Sequence, residues 1–418
     1  MKNKEYISTE LVKHSLANTL QITFEITDAC NLNCAYCGYG NLYSDYDERL
    51  NKELEFTKAK LFLEYLTELW NSYLNRSVNN VVYLSFYGGE PLLNVPFIEK
   101  VINHIKHSEK LSKKFAYSMT TNGLLLDKHM DFLASNDFRL LISLDGNKFN
   151  NSYRVSKSGQ SSYDCVIYNI DKLKSSYPEY FNKKVSFNAV LHNRNSVSEI
   201  FNFFKNRYNK LPQIGALNTS GIKPEMQKEF LKMYQDVTDS LFKSENYGEI
   251  ESEMFLAGPT YHSATVFLMQ HSEFSYKNYY ELIYGNSKNK PVCPTGTCVP
   301  FSKKVFITAN GKILPCERIG HQFALGEISD SSVNIDFEHI AQKYNHYFAK
   351  LDSQCSQCYI SKSCIQCIFS LHDIEKDKCT CDGFMNEEMF HSHKNMQLNF
   401  LARHPEAYSR IMKEVMFL

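Results

Sequence analysis

Short apolar runs alternate with longer amphipathic stretches through the first half of the chain. The apolar runs have the length of strands, and the stretches between them have the length and period of helices. Because the runs are largely apolar without strict alternation, we expect strands that are buried on both faces of a sheet. Six strands are predicted, at Gln21–Thr27, Val81–Tyr87, Phe115–Thr120, Arg139–Leu144, Lys184–Leu191 and Gln213–Asn218.

The clearest helix between these strands is predicted at Thr57–Leu74, with Thr57 as its N-cap. One face of this helix carries apolar residues at i, i+4 spacing, namely Leu61, Tyr65, Leu69 and Tyr73. Repeated strand–helix units indicate a parallel sheet with helices outside it. The predicted fold class is α/β, a partial (β/α)6 barrel of TIM type.

The second half of the chain changes character twice. Residues 221–290 are rich in Tyr, Glu, Met and Phe and predict helices at Pro224–Ser244 and around Ala264–His271. From residue 291 the chain is rich in cysteine and turn residues, and from 383 it is helical again. The predicted domains are a preamble (1–20), the barrel (21–220), a helical bridge (221–290), a cysteine-rich domain (291–382) and a helical tail (383–418).

Composition narrows the class of protein. Hydrophobic residues make up 43% of the chain and charged residues 22%, as in a globular protein. Lys plus Arg equals Asp plus Glu, 46 against 46, which argues against nucleic acid as the main partner. The N-terminus lacks a signal-peptide pattern, and no run approaches the roughly 18 apolar residues of a membrane helix. We therefore expect a cytoplasmic protein that has neither a membrane nor a nucleic acid as partner.

Thirteen cysteines are present, and twelve of them fall in two places. Three lie at 30–37 and nine at 293–381. Clustered cysteines at short spacing in a reduced compartment point to metal rather than to disulfides. The isolated Cys165 lies in a predicted helix, where we expect it to be a buried small apolar residue.

The first cluster, Cys30-x3-Cys34-x2-Cys37, directly follows the first predicted strand. Three thiolates complete neither a tetrahedral zinc site nor the four ligands of a standard four-iron cluster. An incomplete set at the carboxyl end of a barrel leaves one iron open to a small molecule, which is a catalytic layout. The alternative is a zinc loop that takes a distant fourth ligand.

This loop resembles the signature of the radical S-adenosylmethionine (SAM) superfamily, which has an aromatic residue before the last cysteine, here Tyr36. The resemblance implies that Cys30, Cys34 and Cys37 hold a four-iron cluster whose open iron is chelated by S-adenosylmethionine. It also implies reductive cleavage of that cofactor to a 5′-deoxyadenosyl radical, which abstracts a substrate hydrogen.

A second matching segment, Gly88-Gly89-Glu90, follows the second strand. In the family this segment holds the methionyl amine. Glycines allow a close backbone approach, and a carboxylate suits an ammonium group.

Further matches stand at the ends of the third and fourth strands. Ser143 and Asp145 end the fourth strand, and Arg154 follows them. By resemblance to sulfatase-maturing enzymes, this segment contacts the cofactor, and Arg154 takes the carboxylate. Asn122 ends the third strand and lies near the ribose, or is simply a turn residue before glycine.

In the second cysteine cluster, Val305–Ala309 and Lys312–Pro315 flank Asn310-Gly311. This dipeptide predicts a hairpin turn that demands positive φ. The hairpin leads directly into Cys316.

The C-terminal cysteines resemble the SPASM module, which carries two auxiliary four-iron clusters, so that three [4Fe-4S] clusters are expected in all. By that resemblance the ligands of the first auxiliary cluster are Cys293, Cys298, Cys316 and Cys367. Those of the second are Cys355, Cys358, Cys364 and Cys379. The spacing before Cys367 is one residue shorter than the usual pattern, and Cys381 competes with Cys379. A zinc ribbon is the alternative.

Radical enzymes of this two-part build include peptide maturases and anaerobic sulfatase-maturing enzymes, and both act on a polypeptide. We expect a peptide maturase that installs a crosslink, a thioether or an epimerised residue, with sulfatase maturation as the alternative. The expected partners are a precursor peptide or protein and an electron donor such as flavodoxin or ferredoxin. No leader-recognition domain is expected before a cluster loop at residue 30. A multi-cluster electron carrier is the non-enzymatic alternative.

Glu317 directly follows Cys316, where the sulfatase maturases place an acidic residue. We expect Glu317 to be a general base or a contact to the bound peptide. The alternative is a surface residue paired with Arg318 or a lysine.

Overall fold

The structure is a computed structural model that describes residues 5–77, 80–271, 293–361, 364–371 and 373–416. The chain divides into two compact units. The barrel unit comprises Thr9–Ser240 and Cys298–Ile340, and the terminal unit comprises Met1–Ser8, Leu241–Thr297 and Ala341–Leu418. None of the helices in these ranges is long and apolar enough to cross a membrane.

The barrel unit is built on one sheet in the order β10-β9-β8-β7-β1-β2-β3-β4-β5-β6. Strands β1 to β6 are parallel, β7 pairs in parallel with β1, and β7 to β10 form an antiparallel meander. The strands are β1 Gln21–Thr27, β2 Val81–Gly88, β3 Lys114–Thr121, β4 Arg139–Ser143, β5 Val185–Leu191, β6 Gln213–Ala216, β7 Lys304–Ile307, β8 Lys312–Leu314, β9 Gly326–Ile328 and β10 Val333–Asn334. The six predicted strands and the parallel α/β fold are confirmed.

The helices follow the strands as the repeat predicts, and further helices lie towards the C-terminus. They are α1 Thr9–Ala17, α2 Phe56–Trp70, α3 Val95–His107, α4 Leu126–Ser135, α5 Tyr163–Ser176, α6 Pro178–Lys184, α7 Val197–Tyr208, α8 Gln227–Met233, α9 Val237–Phe242, α10 Tyr247–Met254, α11 Pro259–His271, α12 Phe337–Ser356, α13 Glu387–Arg403 and α14 Pro405–Ile411.

Helix α2 is present, but its N-cap and its buried face differ from the prediction. The cap position is Glu55, and Thr57 lies inside the helix. The predicted row is only half-buried at Leu61, Tyr65 and Leu69, and Tyr73 is 81% exposed beyond the helix end. The buried stripe is Ala59, Phe62, Leu63, Leu66, Thr67 and Trp70. This stripe is wider and bulkier than the predicted row, so it covers more of the sheet.

The two faces of the parallel sheet have opposite chemistry. The predicted burial on both faces holds at β1, where Thr23 and Phe24 are both buried, but the concave face is polar rather than apolar. Phe24, Leu84 and Phe187 point outwards under the helices and are fully buried. Their strand neighbours Thr23 and Ser85 line a cavity on the concave face. The strands therefore alternate, because the open barrel encloses a cavity instead of a core filled with side chains.

The predicted helix Pro224–Ser244 is interrupted. A 3₁₀ turn at Pro224–Met226 leads into α8, which ends at Met233. The next residue, Tyr234, has an extended backbone. Asp236 Oδ1 then accepts hydrogen bonds from Thr238 N and Asp239 N at 2.8 and 3.0 Å, which starts α9 as a new helix. The helix predicted around Ala264–His271 lies within α11, and residues 272–290 of the predicted bridge lie outside the described residues.

The predicted hairpin between β7 and β8 is confirmed, with a different turn. Gly311 alone of the dipeptide has positive φ, +86°. Gly311 N donates to Thr308 O at 2.8 Å, and Thr308 N donates to Lys312 O at 3.0 Å. These bonds define a three-residue loop, Ala309 to Gly311, whose last residue has the left-handed backbone conformation. The two-residue turn that the Asn-Gly pair predicts would need positive φ at both Asn310 and Gly311.

The terminal unit has its own small core, in which α11 packs on the C-terminal helices. Tyr261, Ala264, Ala407 and Ile411 are buried together there. The N-terminal segment belongs to the same unit, because Tyr6 N and Ile7 N both donate to Asn345 Oδ1 on α12, at 2.9 and 3.0 Å.

Candidate active site at the carboxyl end of the barrel strands

The three-thiol loop stands at the carboxyl end of β1. Its backbone is fixed from one side, where Asn33 N donates to Val155 O at 2.7 Å and Ala35 N donates to Tyr153 O at 3.2 Å. Burial raises the pKa of Cys34 to about 12, Arg154 opposes this rise, and the neighbouring sulfurs of Cys37 and Cys30 add to it. The Cys34 thiol is thus buried within electrostatic reach of the other two thiols of the loop.

The donor set of this loop fits an iron–sulfur cluster. Across the described part of the chain, no three His, Cys, Asp or Glu side chains converge on a single metal ion. A four-iron cluster is larger than one ion, so its thiolate ligands stand further apart than those of zinc. Leu32 N donates to Cys30 Sγ at 3.4 Å, the kind of N–H contact that stabilises a charged sulfur.

Gly88 and Gly89 bring the end of β2 against the entry to the thiol loop. Gly89 N donates to Thr27 O and Glu90 N donates to Ala29 O, both at 2.9 Å. A Cβ atom at Gly88 would lie 2.1 Å from Thr27 O, and one at Gly89 would lie 2.1 Å from Ala29 O. The two glycines are thus required for backbone packing, whatever they contact in a ligand.

The Glu90 side chain points into the protein and joins two strand ends. Its fully buried carboxylate accepts hydrogen bonds from Leu92 N at 3.1 Å, Thr121 Oγ1 at 2.7 Å and Asn122 N at 2.7 Å. Burial raises the pKa of Glu90 to about 7, although these three donors lower it. The predicted contact with a methionyl amine stays a prediction, because the carboxylate is already occupied by protein donors.

Asn122 lies beside the thiol loop and also forms a turn. Its Nδ2 donates to Asn31 Oδ1 at 2.7 Å and lies 3.8 Å from Cys30 Sγ. Its Oδ1 accepts from Leu124 N at 3.0 Å, the bond expected of a turn residue before glycine. Ser143, which the sequence also predicts to contact the cofactor, is half-buried at the end of β4 opposite Asn188.

Asp145 and Arg154 form a buried ion pair. Arg154 Nε and Nη2 donate to the two Asp145 oxygens at 3.0 and 2.9 Å. Asp145 also accepts from Val190 N at 2.9 Å and from the Tyr36 hydroxyl. Burial alone would raise the pKa of Asp145, but Arg154 and the other hydrogen-bond donors lower it to about 2. The carboxylate is therefore held fully ionised inside the unit.

This pair braces the thiol loop. The Arg154 guanidinium lies 5.4 Å from the centre of the Tyr36 ring, within the three-cysteine segment. The sequence predicts that the Arg154 guanidinium binds the cofactor carboxylate. In the structure its Nε and Nη2 atoms donate to Asp145 instead, so the contact of Arg154 with the cofactor stays a prediction. His192, which sequence reasoning missed, stacks on Tyr36 at 5.6 Å and lies 3.6 Å from Asp145. No spacing signal marks His192, because only the pairing of β4 with β5 brings it here.

Arg49 was also missed, and it provides a cation at the thiol loop. Its Nη2 lies 3.6 Å from Cys37 Sγ, and its guanidinium carbon lies 4.4 Å from the centre of the Tyr39 ring. A positive charge at this distance stabilises a thiolate.

Glu317 lines the cavity of about 470 Å³ on the concave face of the sheet. Lys304 Nζ lies 3.0 Å from each of its carboxylate oxygens. Burial would raise the pKa of Glu317, but Lys304 lowers it below its ordinary value. The sequence offered, as the alternative to a functional Glu317, a residue paired with Arg318 or a lysine. The structure pairs it with Lys304, and Glu317 is an ionised residue of the cavity wall.

A second group of thiols lies in the terminal unit, beginning with Cys355 in the last turn of α12 and continuing beyond the helix. Burial raises the pKa of Cys355 to about 12, and the sulfurs of Cys364, Cys381 and Cys358 add to the rise. Cys381 N donates to Gln354 Oε1 at 3.0 Å, and Met385 N donates to Cys358 Sγ at 3.4 Å. These bonds fix the segment that follows Cys381 against the Cys355–Cys358 turn.

The remaining cysteines are divided between the units. Cys298 and Cys316 belong to the barrel unit, and Cys293 and Cys367 belong to the terminal unit, so the first auxiliary ligand set stays a prediction. Cys165 lies on α5 and is exposed. The prediction that it is buried is wrong, because the inward stripe of α5 is Val166, Asn169, Ile170 and Leu173.

The family model of the Radical SAM superfamily matches residues 24–205. The chain therefore carries a radical SAM domain. This match covers β1 to β5 and includes the thiol loop, Gly88-Gly89-Glu90, Asp145 and Arg154. This match supports the predicted binding of S-adenosylmethionine and of one iron–sulfur cluster by this domain.

Individual relatives extend this picture. The radical SAM cyclopropyl synthase TigE of Paramaledivibacter caminithermalis is 25% identical over 233 residues, 54% of this chain and 46% of that protein. The cysteine-type anaerobic sulfatase-maturating enzyme of Clostridium perfringens (strain ATCC 13124) is 25% identical over 362 residues, 81% of this chain and 85% of that enzyme. This chain thus spans about half the length of the cyclopropyl synthase.

One solved structure, native anSMEcpe with bound AdoMet, matches with a TM-score of 0.57 and 20% identity. The match covers 94% of this chain and 99% of that one. At this identity the likeness establishes the fold alone.

Proposed function

We propose that this protein uses S-adenosylmethionine to abstract hydrogen from a polypeptide and so installs a crosslink, a thioether or an epimerised residue. One combined observation supports this proposal. An open three-thiol loop stands at the carboxyl end of β1, and the concave face of the same sheet encloses a polar cavity of about 470 Å³. That volume lies in the range of substrate sites.

In this proposal Cys30, Cys34 and Cys37 ligate the iron–sulfur cluster, which supplies the electron for cleavage of S-adenosylmethionine. Arg49 holds a positive charge next to Cys37. Ser143 stands at the end of β4 and is proposed to contact the cofactor directly. Asn122 is hydrogen-bonded to Asn31 and Leu124, and its proposed contact would use the remaining N–H of its amide.

The other predicted cofactor residues act by positioning. Glu90 joins β2 to β3 through three hydrogen bonds. Asp145 and Arg154 hold Tyr36, and with it the loop that carries the thiols. Gly88 and Gly89 allow the end of β2 to approach that loop.

We also propose two auxiliary [4Fe-4S] clusters, three clusters in all. Cys293, Cys298, Cys316 and Cys367 are the proposed ligands of the first. For the second, we favour Cys381 over Cys379 beside Cys355, Cys358 and Cys364. Burial and then the sulfurs of Cys364 and Cys358 raise the pKa of Cys381, whereas the first charged neighbour to raise the pKa of Cys379 is Asp373. The sulfur of Cys379 lies 3.9 Å from the carbonyl oxygen of Thr380, its own neighbour.

Glu317 is proposed as a contact to the bound peptide within the cavity, and as the group that takes a proton when the substrate is oxidised. Its place in the cavity wall supports the first role. Its ion pair with Lys304 keeps it in the carboxylate form that a general base must have, but the lowered pKa makes it a weak base, so the contact role is the better supported of the two.

Sulfatase maturation is the second candidate, because the relative that matches over 81% of this chain is a sulfatase-maturating enzyme. Glu317 stands where those enzymes are expected to have Asp, and its longer side chain favours a different peptide. A multi-cluster electron carrier would explain the cysteines but would need no polar cavity inside the barrel.

The test uses the full chain after anaerobic reconstitution and reduction. Addition of S-adenosylmethionine should change the electron paramagnetic resonance spectrum of the reduced protein and yield 5′-deoxyadenosine. A variant with Cys30, Cys34 and Cys37 all changed to Ala should lose about four irons of about twelve and form no 5′-deoxyadenosine. A wild-type protein whose spectrum ignores S-adenosylmethionine would be an electron carrier.

Mass spectrometry then separates the two enzymatic candidates. The probes are the short peptides encoded beside the gene and a peptide that contains a sulfatase cysteine motif. Loss of two hydrogens from the precursor peptide (a crosslink or thioether), or uptake of one deuterium from D2O at an epimerised residue, supports the maturase. Conversion of the cysteine to formylglycine supports the alternative. An electron donor such as flavodoxin or ferredoxin is expected to replace the chemical reductant.

A further inference from the structure

The wall of the barrel cavity ends in Arg139, which has no acidic partner among the residues that the structure describes. Register places Thr23, Ser85, Ser118 and Arg139 side by side across four neighbouring strands, β1 to β4. The hydroxyls of this row are hydrogen-bonded within the wall, since Gln21 Nε2 donates to Ser85 Oγ at 2.7 Å and Ser85 Oγ lies 2.5 Å from Ser118 Oγ. Arg139 ends the row without joining these bonds.

The other cations of the cavity are neutralised by carboxylates. Lys304 pairs with Glu317 at 3.0 Å, Lys184 with Asp137 at 2.6 Å and Lys183 with Glu179 at 3.3 Å. Among the residues that the structure describes, no carboxylate lies within ion-pair distance of Arg139. The cavity thus carries one uncompensated positive charge at a defined place.

The Arg139 guanidinium is available to a planar ligand. It lies 5.4 Å from the centre of the Tyr83 ring, within cation–π range, and its side chain is exposed to the cavity and solvent. The planar N–H edge of a guanidinium matches the two oxygens of a carboxylate. Serine and threonine hydroxyls nearby suit the amide groups of a peptide.

We propose that Arg139 anchors a carboxylate of the peptide substrate, supplied by an Asp or Glu side chain or by the peptide C-terminus. This inference rests on the proposed action on a polypeptide and adds the class of peptide. Arg139 precedes Ser143 by four residues on β4, about 13 Å below the strand end where the cofactor residues lie. An extended peptide covers that distance in about four residues, so the modified residue lies within about four residues of the anchored carboxylate.

The test measures binding to the anaerobically reconstituted full chain by calorimetry. Three probe peptides are compared: acetyl-Gly-Gly-Glu-Gly-Gly-amide, its Gln counterpart, and acetyl-pentaglycine with a free C-terminal carboxylate. The wild-type protein should bind one of the two carboxylate peptides about tenfold more tightly than the Gln peptide. Which of the two binds tightly identifies the source of the carboxylate.

Arg139→Met should abolish this preference, and Arg139→Lys should keep part of it because the charge remains without the planar fork. Arg207→Met is the matched control, because Arg207 pairs with Asp171 at 2.6 Å on the surface of the same unit, and it should keep the full preference. Circular dichroism and iron content establish that each variant is folded.

Equal binding of all three peptides by the wild-type protein, binding of none of them at millimolar concentration, or a preference that survives in Arg139→Met would overturn the proposal. Formation of 5′-deoxyadenosine by the wild-type protein is measured separately. If no 5′-deoxyadenosine forms, that result counts against the proposed function. The peptide comparison would still test whether Arg139 binds a carboxylate.

Discussion

At the scale of single residues, the buried pair of Asp145 and Arg154 has the largest effect on the position of the thiol loop. Both side chains are almost fully buried, and each satisfies the other's charge. Because their partners include Tyr36 and Val190, the pair connects the thiol loop to β5. Removing one member leaves an uncompensated buried charge, which is far more costly than losing an exposed ion pair.

Arg154→Met should therefore lower the free energy of unfolding by about 3 to 5 kcal/mol and should reduce the iron retained by the protein. Denaturant unfolding and iron analysis measure the two effects. The control is the double variant Asp145→Asn/Arg154→Met, which removes both charges and should be less destabilised than the sum of the single variants. Strict additivity would mean that the two side chains are not coupled.

The fourth ligand of the second auxiliary cluster is also decided at this scale. Cys381→Ala should lower the iron content from about twelve to about eight per chain, whereas Cys379→Ala should retain about twelve. The two variants are matched, since they remove the same group two positions apart. The reverse result would return the ligand role to Cys379.

Sequence reasoning at the residue scale found the thiols and missed their surroundings. Cys30, Cys34 and Cys37 stand at fixed spacing within one loop, so a pattern in the chain reveals them. His192 and Arg49 reach the same place through strand pairing and a loop return, which leave no regular spacing.

At the scale of elements, the carboxyl ends of β2 and β3 are joined by a buried acid. Glu90 accepts from Leu92 in the turn after β2 and from Thr121 and Asn122 at the end of β3. Its burial raises its pKa from 4.5 to about 7, so the folded protein keeps this proton at pH values where the unfolded chain has lost it.

The sign of the pH dependence follows. Between pH 4.5 and about 7 the folded state binds more protons at Glu90 than the unfolded state does, so stability falls as the pH rises through this window. The loss is about 3 kcal/mol when complete, and it stays constant above the window. Glu90→Gln should remove this contribution.

Denaturant unfolding of both proteins at pH 5 and pH 8 measures the effect. The wild-type protein should lose more stability than Glu90→Gln between the two values. Glu25, whose pKa burial also raises to about 7, is present in both proteins and therefore cancels in the comparison. Parallel stability curves would mean that Glu90 is ionised in the fold throughout.

Elements were predicted well where their signal is local. The six parallel strands were found within two residues at each end. The break in the predicted helix at Pro224–Ser244 was not foreseen, because it depends on Asp236 capping a new helix at a point where the apolar pattern continues. The buried stripe of α2 was misjudged because two apolar rows compete, and contact with the sheet decides between them.

At the scale of the whole molecule, the chain contains two compact units, and its cysteines are shared between them. The barrel unit holds the radical SAM match and also contains Cys298 and Cys316, whereas Cys293 and Cys367 lie in the terminal unit. The order of the motifs along the chain was sufficient to predict this family. The ligand of the cavity was not predictable, because the residues that line it, such as Arg139 and Lys304, lie at scattered strand positions.

The alternation of the barrel strands separates two kinds of sequence constraint. Outward residues such as Phe24 and Phe187 form the apolar layer under the helices, where loss of a side chain costs several kcal/mol. Inward residues such as Thr23 and Ser186 face the cavity and contribute little to the packing that stabilises the fold. Evolution can therefore rewrite the inner surface to suit a new peptide while the outer layer preserves the scaffold. Relatives that share this barrel at about a quarter identity are expected to differ most at every second strand position.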